Sequence, residues 1–282
     1  MIKLEHVKKQ YKEFGMDCSM QVRPGCVTGL IGPNGAGKST TFKAILGLIS
    51  CDSGRVQVLG KPADKLNSQD RQKIGTVLAD SGFSGYLDIR SLVPVLASMY
   101  PAFHREQFLE NCRKFDLPLD KKIKEFSTGM KRKLQVLAAI SHEAQLLILD
   151  EPTAGMDVLV RDEIIGMLRG YMETDGRAVL ISSHIASDLE GFCDDLYMIQ
   201  NGKIIFHEDT DVLLDSYALL KMTQEQYDSL DKHDILRYKK EPYGVSCLTS
   251  QKRFYMENYP QITVEKGNID ELILMMARGE KR

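Results

Sequence analysis

Met16, Cys18, Met20 and Val22 are apolar at every second position, the period of a strand with one covered face. Arg23-Pro24-Gly25 then turns the chain into a mostly apolar run, 26–31, which predicts a buried strand. Val56 and Val58, set between Gly54 and Gly60, mark another short strand, and with the opening IKLEHV segment these predict a small antiparallel sheet. After a glycine-rich stretch, Phe42, Ile45, Leu46 and Ile49 recur at helical spacing. Residues 74–78, 145–149 and 177–182 read as strands and 158–172 as a helix. Residues 88–142 read as helical, with breaks at Pro94, Pro101 and Pro118. Two further short strands, 196–199 and 204–206, flank Asn201-Gly202, a strong hairpin signal.

Strands alternating with helices predict an α/β fold with a mostly parallel sheet covered on both faces. The helical block at 88–142 interrupts that alternation and reads as an inserted subdomain. Beyond Glu208 the register changes. Short β-like segments (218–222, 235–238, 245–248, 262–264) alternate with helical ones (224–230, 251–259, 269–277), which predicts a small α+β appendage. The expected division is therefore 1–210 and 211–282, and 282 residues suffice for one large or two modest cores.

Composition changes this picture little. Hydrophobic residues make up 43% and charged residues 27%, as in an ordinary soluble globular chain. A net charge of −2 gives no electrostatic case for a nucleic-acid partner. No apolar run approaches the ~18 residues of a transmembrane helix, and the opening MIKLEHVKKQYKEF lacks the apolar core of a signal peptide. Any membrane role must then come through a partner. The six cysteines show no C-x-x-C spacing and no histidine cluster, so the reading is reduced cytosolic thiols rather than zinc or a disulfide framework.

The chemistry begins at GLIGPNGAGKSTTF. Gly32, four residues, then Gly37-Lys38-Ser39 fits the phosphate-binding loop G-x-x-x-x-G-K-[ST]. Glycines let backbone N–H groups face an anion without side chains in the way. The lysine of such a loop reaches the β- and γ-phosphates, the serine hydroxyl can ligate Mg²⁺, and the following helix adds its unpaired N–H groups and positive dipole end. Gly32, Asn34, Gly35, Ala36, Gly37, Lys38, Ser39 and Thr40 form the candidate nucleotide-binding set. Leu146-Leu147-Ile148-Leu149-Asp150-Glu151 is an apolar strand ending in two acids. Beside a phosphate loop, one carboxylate can hold Mg²⁺ and the second can activate the attacking water.

At this point residues 1–210 resemble the ATP-binding cassette (ABC) ATPases, members of the P-loop NTPase fold. Further matches follow in the family's order. Tyr11 lies where an aromatic ring stacks on adenine. Phe126-Ser127-Thr128-Gly129-Met130 resembles the family signature, usually L-S-G-G-Q. Ala154-Gly155-Met156-Asp157 resembles the loop crossing the dimer interface, and His184 after Ser182-Ser183 matches the switch histidine. Each has a plainer alternative: a strand-surface tyrosine, a helix N-cap at Ser127, a surface histidine. The resemblance implies that Ser127 and Gly129 face the γ-phosphate held by the other subunit, so that ATP is sandwiched between two chains.

The resemblance also exposes departures. Thr128 and Met130 replace the usual Gly and Gln of the signature, and FSTGMKRKL is similar to signatures of bacterial exporter-type cassettes. The family places a glutamine near position 79, in contact with Mg²⁺ or its water. Here the residues are Ala79-Asp80-Ser81, which makes Asp80 a candidate metal ligand beside Ser39 and Asp150. Val264-Glu265-Lys266-Gly267-Asn268-Ile269-Asp270-Glu271-Leu272 resembles the tail of drug, antibiotic and polysaccharide exporter cassettes, and a helix that only caps the appendage core is the competing reading.

The function implied is the ATPase subunit of an ABC transporter, with ATP and Mg²⁺ as ligands and Lys38, Glu151 and His184 as catalytic residues. It would pair with a second ATPase subunit, in a homodimer or heterodimer, and with an integral membrane permease on the inner face of the cell membrane. The alternative is a soluble ABC ATPase acting as a nucleotide-driven switch outside transport. The transported substrate is chosen by the permease and is not written in this chain.

Overall fold

Every residue of Val27–Ile31 is buried, as expected of a strand enclosed by neighbours on both edges and by layers on both faces. The computed structural model describes residues 1–280. Along the chain, β1 (Ile2–Gln10), β2 (Gly15–Val22) and β3 (Val27–Ile31) precede α1 (Lys38–Ile45). Next come β4 (Ser53–Val58), β5 (Lys61–Pro62), the short α2 (Ser68–Arg71) and β6 (Ile74–Val77). A helical block, α3 (Ile89–Met99), α4 (Arg105–Lys114) and α5 (Thr128–Ile140), leads to β7 (Leu146–Leu149), α6 (Val158–Met172), β8 (Ala178–Ser183), β9 (Asp195–Gln200) and β10 (Lys203–Asp209). The rest comprises α7 (Thr210–Ser216), β11 (Ala218–Met222), α8 (Gln224–Ser229), β12 (Ile235–Glu241), β13 (Gly244–Thr249), α9 (Lys252–Asn258), β14 (Thr263–Glu265) and α10 (Ile269–Arg278).

The strands form a ten-stranded sheet in the order β5-β4-β1-β2-β10-β9-β3-β8-β7-β6. From β9 to β6 all pairs are parallel, which is the α/β core the sequence predicts. The antiparallel strands β1, β2, β4 and β5 are not a separate small sheet. They extend the same sheet, because the β9–β10 hairpin pairs with β2 at Lys203 and Asp17. The hairpin turn has Asn201 at φ 48° and Gly202 at φ 75°, the positive values a tight two-residue turn requires. Glycine is forced at the second position also by proximity, since a Cβ on Gly202 would lie 2.0 Å from the Gly15 carbonyl oxygen.

Pro94 lies inside α3 and does not break it. Its missing N–H leaves the Arg90 carbonyl without a helical partner. Arg90 and Pro94 are both exposed, so water can satisfy that carbonyl, while Leu92, Val93 and Leu96 stay buried on the other face. Pro101 and Pro118 do fall between helices, as predicted.

The C-terminal sheet, ordered β12-β13-β11-β14, has two covered faces. Leu220, Met222, Val245 and Cys247 pack with Tyr255 and Ile262 on one side. Leu219 and Leu248 face the other way and join Ile269, Leu272 and Ile273 of α10 in the main core, with Ile165 and Leu168 of α6. The short helix α7 between β10 and β11 is not signalled by the sequence pattern. All six cysteines are free thiols. Burial pushes that of Cys18 up to about 12, which keeps it protonated and unreactive.

Candidate functional site

The parallel register brings four chain segments to one edge of the sheet. Ile31 lies opposite Ser183, Leu149 opposite Ile181, and Val77 opposite Leu149. The glycine loop, Asp150-Glu151, His184 and Ala79-Asp80 therefore leave from neighbouring carboxyl ends of strands, where open α/β sheets bind ligands.

Gly37 opens α1 at φ 115° and offers no side-chain acceptor to the first-turn N–H groups. A Cβ here would stand 3.0 Å from the Phe14 ring, in a backbone region L-residues rarely enter. The first turn of α1 carries no acidic residue, so its unpaired N–H groups are free for an anion. Lys38 is 5% exposed, and its Nζ donates to the Gly32 and Pro33 carbonyl oxygens at 2.6 and 3.3 Å. The loop is braced by the hairpin, where Gly202 N–H donates to the Ala36 carbonyl at 2.8 Å. Asn34, Gly35 and Ser39 face solvent, and Thr40 is half-buried.

Asp150 is 2% exposed and tied from two sides. Its N–H donates to the Val77 carbonyl at 2.7 Å, and its Oδ1 accepts from Ser182 Oγ at 2.7 Å. The same Ser182 Oγ accepts from Glu151 N–H at 2.9 Å, which holds Glu151 at φ 51°. Glu151 Oε2 lies 2.5 Å from His184 Nδ1. Glu151 Oε1 lies 3.0 Å from Lys38 Nζ, an ion pair whose geometry is not that of an aligned hydrogen bond. The Arg132 guanidinium, five residues beyond Ser127 on α5, is pushed down by burial, with the charges of Asp150 and Glu151 opposing that shift.

These donors suit a polyphosphate with a divalent cation. The buried amine and the uncapped helix N-terminus match phosphate oxygens. The Ser39 hydroxyl and Asp150 carboxylate are hard oxygen ligands of the kind Mg²⁺ takes. Among the predicted residues, the structure thus brings Lys38, Asp150, Glu151 and His184 together on the glycine loop.

The remaining predicted residues stand further out. Tyr11 is 43% exposed. Its ring centroid is 6.3 Å from that of Phe14, which itself touches Gly37, so one aromatic ring separates it from the loop. Ser127 caps α5, its Oγ accepting from Met130 N–H at 3.2 Å. Gly129, in the first turn, packs against Val160 of α6. Asp80 lies in solvent: its side chain is 89% exposed and 3.8 Å from Lys43 Nζ on α1.

Some residues escaped the sequence reading. Ser182 was visible only as part of a landmark, yet it links both acids, and parallel pairing of two apolar runs with polar tips was the available signal. Phe14 had none. Gln135 of α5 donates to the Ser81 carbonyl at 2.6 Å and accepts from Arg132 at 3.2 Å, tying the signature helix to the loop that lacks the family's glutamine. Arg161 of α6 pairs with Asp188 and reaches the Met156 carbonyl at 3.4 Å.

The chain also has relatives among known proteins. The ABC transporter family profile matches residues 16–154. The linearmycin resistance ATP-binding protein LnrL of Bacillus subtilis is 36% identical over 213 residues, spanning 73% of this chain and 68% of LnrL. The lantibiotic transport ATP-binding protein SrtF of Streptococcus pyogenes is 33% identical over 215 residues, 75% of this chain and 92% of SrtF. A solved ATP-binding subunit of an ABC transporter superposes with a TM-score of 0.67 at 25% identity, covering 76% of this chain and 91% of that one.

Proposed function

The chain belongs to the ABC transporter family of ATP-binding proteins, and from that premise we propose how its residues hydrolyse ATP to drive a separately encoded membrane permease in the direction of export. It is an ATPase, converting ATP and water to ADP and phosphate. The observation that carries the assignment of roles is the meeting of Lys38, Glu151 and His184 at the carboxyl ends of β3, β7 and β8, with Asp150 fixed beside them by Ser182.

Tyr11 stacks the adenine. The loop from Asn34 to Thr40, with Gly32 at its entry, wraps the phosphates, and Lys38 neutralises them. Ser39 and Asp150 are the residues that would hold Mg²⁺, which would supply charge neutralisation for the phosphates when bound. When phosphate takes the charge of Lys38, Glu151 Oε1 is released from its ion pair and becomes available to a water. Glu151 accepts that water's proton as its oxygen bonds to the γ-phosphorus and the bond to the β,γ-bridging oxygen breaks. His184, already on Glu151 Oε2, orients the γ-phosphate end. Positioning and charge neutralisation supply most of the catalysis in such a transfer. Asp80 is left with Lys43, and water is the better candidate for the contact that the family's glutamine makes.

Ser127 and Gly129 complete the site of a second cassette, identical or different. Val158 and Leu159, 75% and 78% exposed at the start of α6, offer an apolar patch suited to that partner. Among the described residues no helix is long and apolar enough to cross a membrane, so the proposed attachment to the inner face of the cell membrane runs through the permease. Residues 1–210 make up the proposed ATPase unit and 211–282 the α+β appendage. The relatives named for linearmycin resistance and lantibiotic transport support export.

Affinity capture tests the transport role. Tagged Glu151→Gln protein, isolated from detergent-solubilised native cells, should bring down a polytopic membrane protein. Recovery of only ribosomes, DNA or soluble assembly factors would contradict it.

A further inference from the structure

The loop after His184 has to be held in place for the imidazole to meet Glu151, and from its own neighbourhood Ser183 Oγ accepts only the Ile185 N–H, at 3.0 Å. It forms a single 3-10 turn, Ala186–Asp188, whose preceding residue Ile185 supplies no side-chain cap. The acceptors come from the far end of the chain. Asp270, in the first turn of α10, accepts from Ala186 N–H with Oδ1 at 2.7 Å and from Ser187 N–H with Oδ2 at 3.2 Å. Both carboxylate oxygens are thereby spent on the two N–H groups that follow the switch histidine by two and three residues.

The placement of Asp270 is itself fixed from several directions. Asn268 and Glu271 form a capping box, with Glu271 N–H donating to Asn268 Oδ1 at 2.8 Å and Asn268 N–H to Glu271 Oε2 at 3.2 Å. This uses Glu271 locally and leaves Asp270 to reach across. Ile269, Leu272, Ile273, Met275 and Met276 bury the other side of α10 in the main core. The turn that Asp270 caps ends in Asp188, whose side chain is 3% exposed and paired with Arg161. Arg161 in turn holds the Met156 carbonyl in the loop before α6. One contact from the C-terminal helix is therefore continuous with His184 on one side and with the 154–157 loop on the other. The fields of Asp270 and His184 both reach the Asp188 carboxyl, which burial raises, so the three groups share one neighbourhood.

We propose that Asp270 is a positioning residue for hydrolysis: it clamps the loop behind His184, so that the C-terminal appendage sets the geometry of the histidine on Glu151. It touches neither nucleotide nor water. The inference rests on the roles proposed above for Glu151 and His184, and its test separates the two.

The test uses the whole chain with Asp270→Ala. In nucleotide-free protein carrying ¹³C-labelled histidine, the His184 ring resonance, identified by its loss in His184→Gln, should shift, while those of His104 and His233 stay in place. In steady-state hydrolysis kcat should fall about tenfold with KM for ATP within twofold, because a misplaced group costs rate more than binding, while Tm falls by only a few degrees, since the two N–H groups that lose their acceptor are part-buried and exposed. An unmoved His184 resonance with unchanged kcat would overturn the proposal. So would a loss of kcat matched by a rise in KM and a large fall in Tm, the mark of a merely structural contact. Should the wild type hydrolyse nothing, the functional reading fails, and the resonance alone still decides whether Asp270 places His184.

Discussion

Ser182 is the hinge of the carboxylate arrangement, and Ser182→Ala removes one oxygen that serves two partners. The side chain is fully buried. Truncation deletes the 2.7 Å bond to Asp150 Oδ1 and orphans the Glu151 N–H that now donates at 2.9 Å. A hydrogen bond to a charged group contributes ~1.5–3 kcal/mol and an unsatisfied buried N–H costs ~1–3 kcal/mol, so the combined loss is about 4 kcal/mol. For a chain of this size that lowers Tm by roughly 6–10 °C. Glu151 also loses the bond that holds its positive φ, so its carboxylate drifts from His184. Turnover should drop about tenfold, as expected for a displaced catalytic group. Calorimetry without nucleotide reads the first effect and phosphate release the second. A Tm within 2 °C of wild type together with unchanged turnover would refute the claim that Ser182 organises both acids.

Two further outcomes follow from the placement of acidic residues. Asp80→Ala should leave the Mg²⁺ concentration for half-maximal hydrolysis unchanged, because Asp80 faces solvent beside Lys43; a several-fold rise would return it to the metal site. Asp88 caps α3, and bonds from Lys122 and Ser91 hold its carboxyl well below its ordinary value of 3.8. A depressed folded-state value means its contribution is present above pH 3.8 and disappears as pH falls through the folded value. The difference in urea midpoint between wild type and Asp88→Ala should accordingly be constant near neutral pH and shrink below pH 3.8; a pH-independent difference would contradict the assignment.

Much of this molecule can be read from its sequence, and the boundary of legibility is physical. The glycine loop, the Asp150-Glu151 tip and His184 are local signals, each a short motif at the end of an apolar run. Parallel pairing, predicted from the alternation of strands and helices, is enough to gather them on one edge. The Asn201-Gly202 turn was equally legible, although its consequence, the joining of the antiparallel arm to the core sheet, depends on which strand the hairpin meets. Pro94 misleads because the carbonyl it orphans faces water, and exposure of Arg90 is a tertiary property. The contacts of Ser182 and Asp270 were silent because their partners lie 31 to 32 and 83 to 84 residues away. A serine ending a strand and an aspartate opening a helix are ordinary residues until the fold supplies their neighbours. The side-chain bonds of Gln135 to Ser81 belong to the same class.

The central claim is that Glu151 activates the water without holding the nucleotide, and Glu151→Gln tests it most directly. The amide keeps the size of the carboxylate and loses its basicity. Steady-state phosphate release should fall by at least ~100-fold, as for a lost general base, while ATP affinity by equilibrium binding stays unchanged. Because unhydrolysed ATP would then hold two cassettes together, size-exclusion chromatography with ATP should show the variant as a dimer and the wild type returning to monomer. Wild-type turnover in the variant, or lost ATP affinity, would contradict the account.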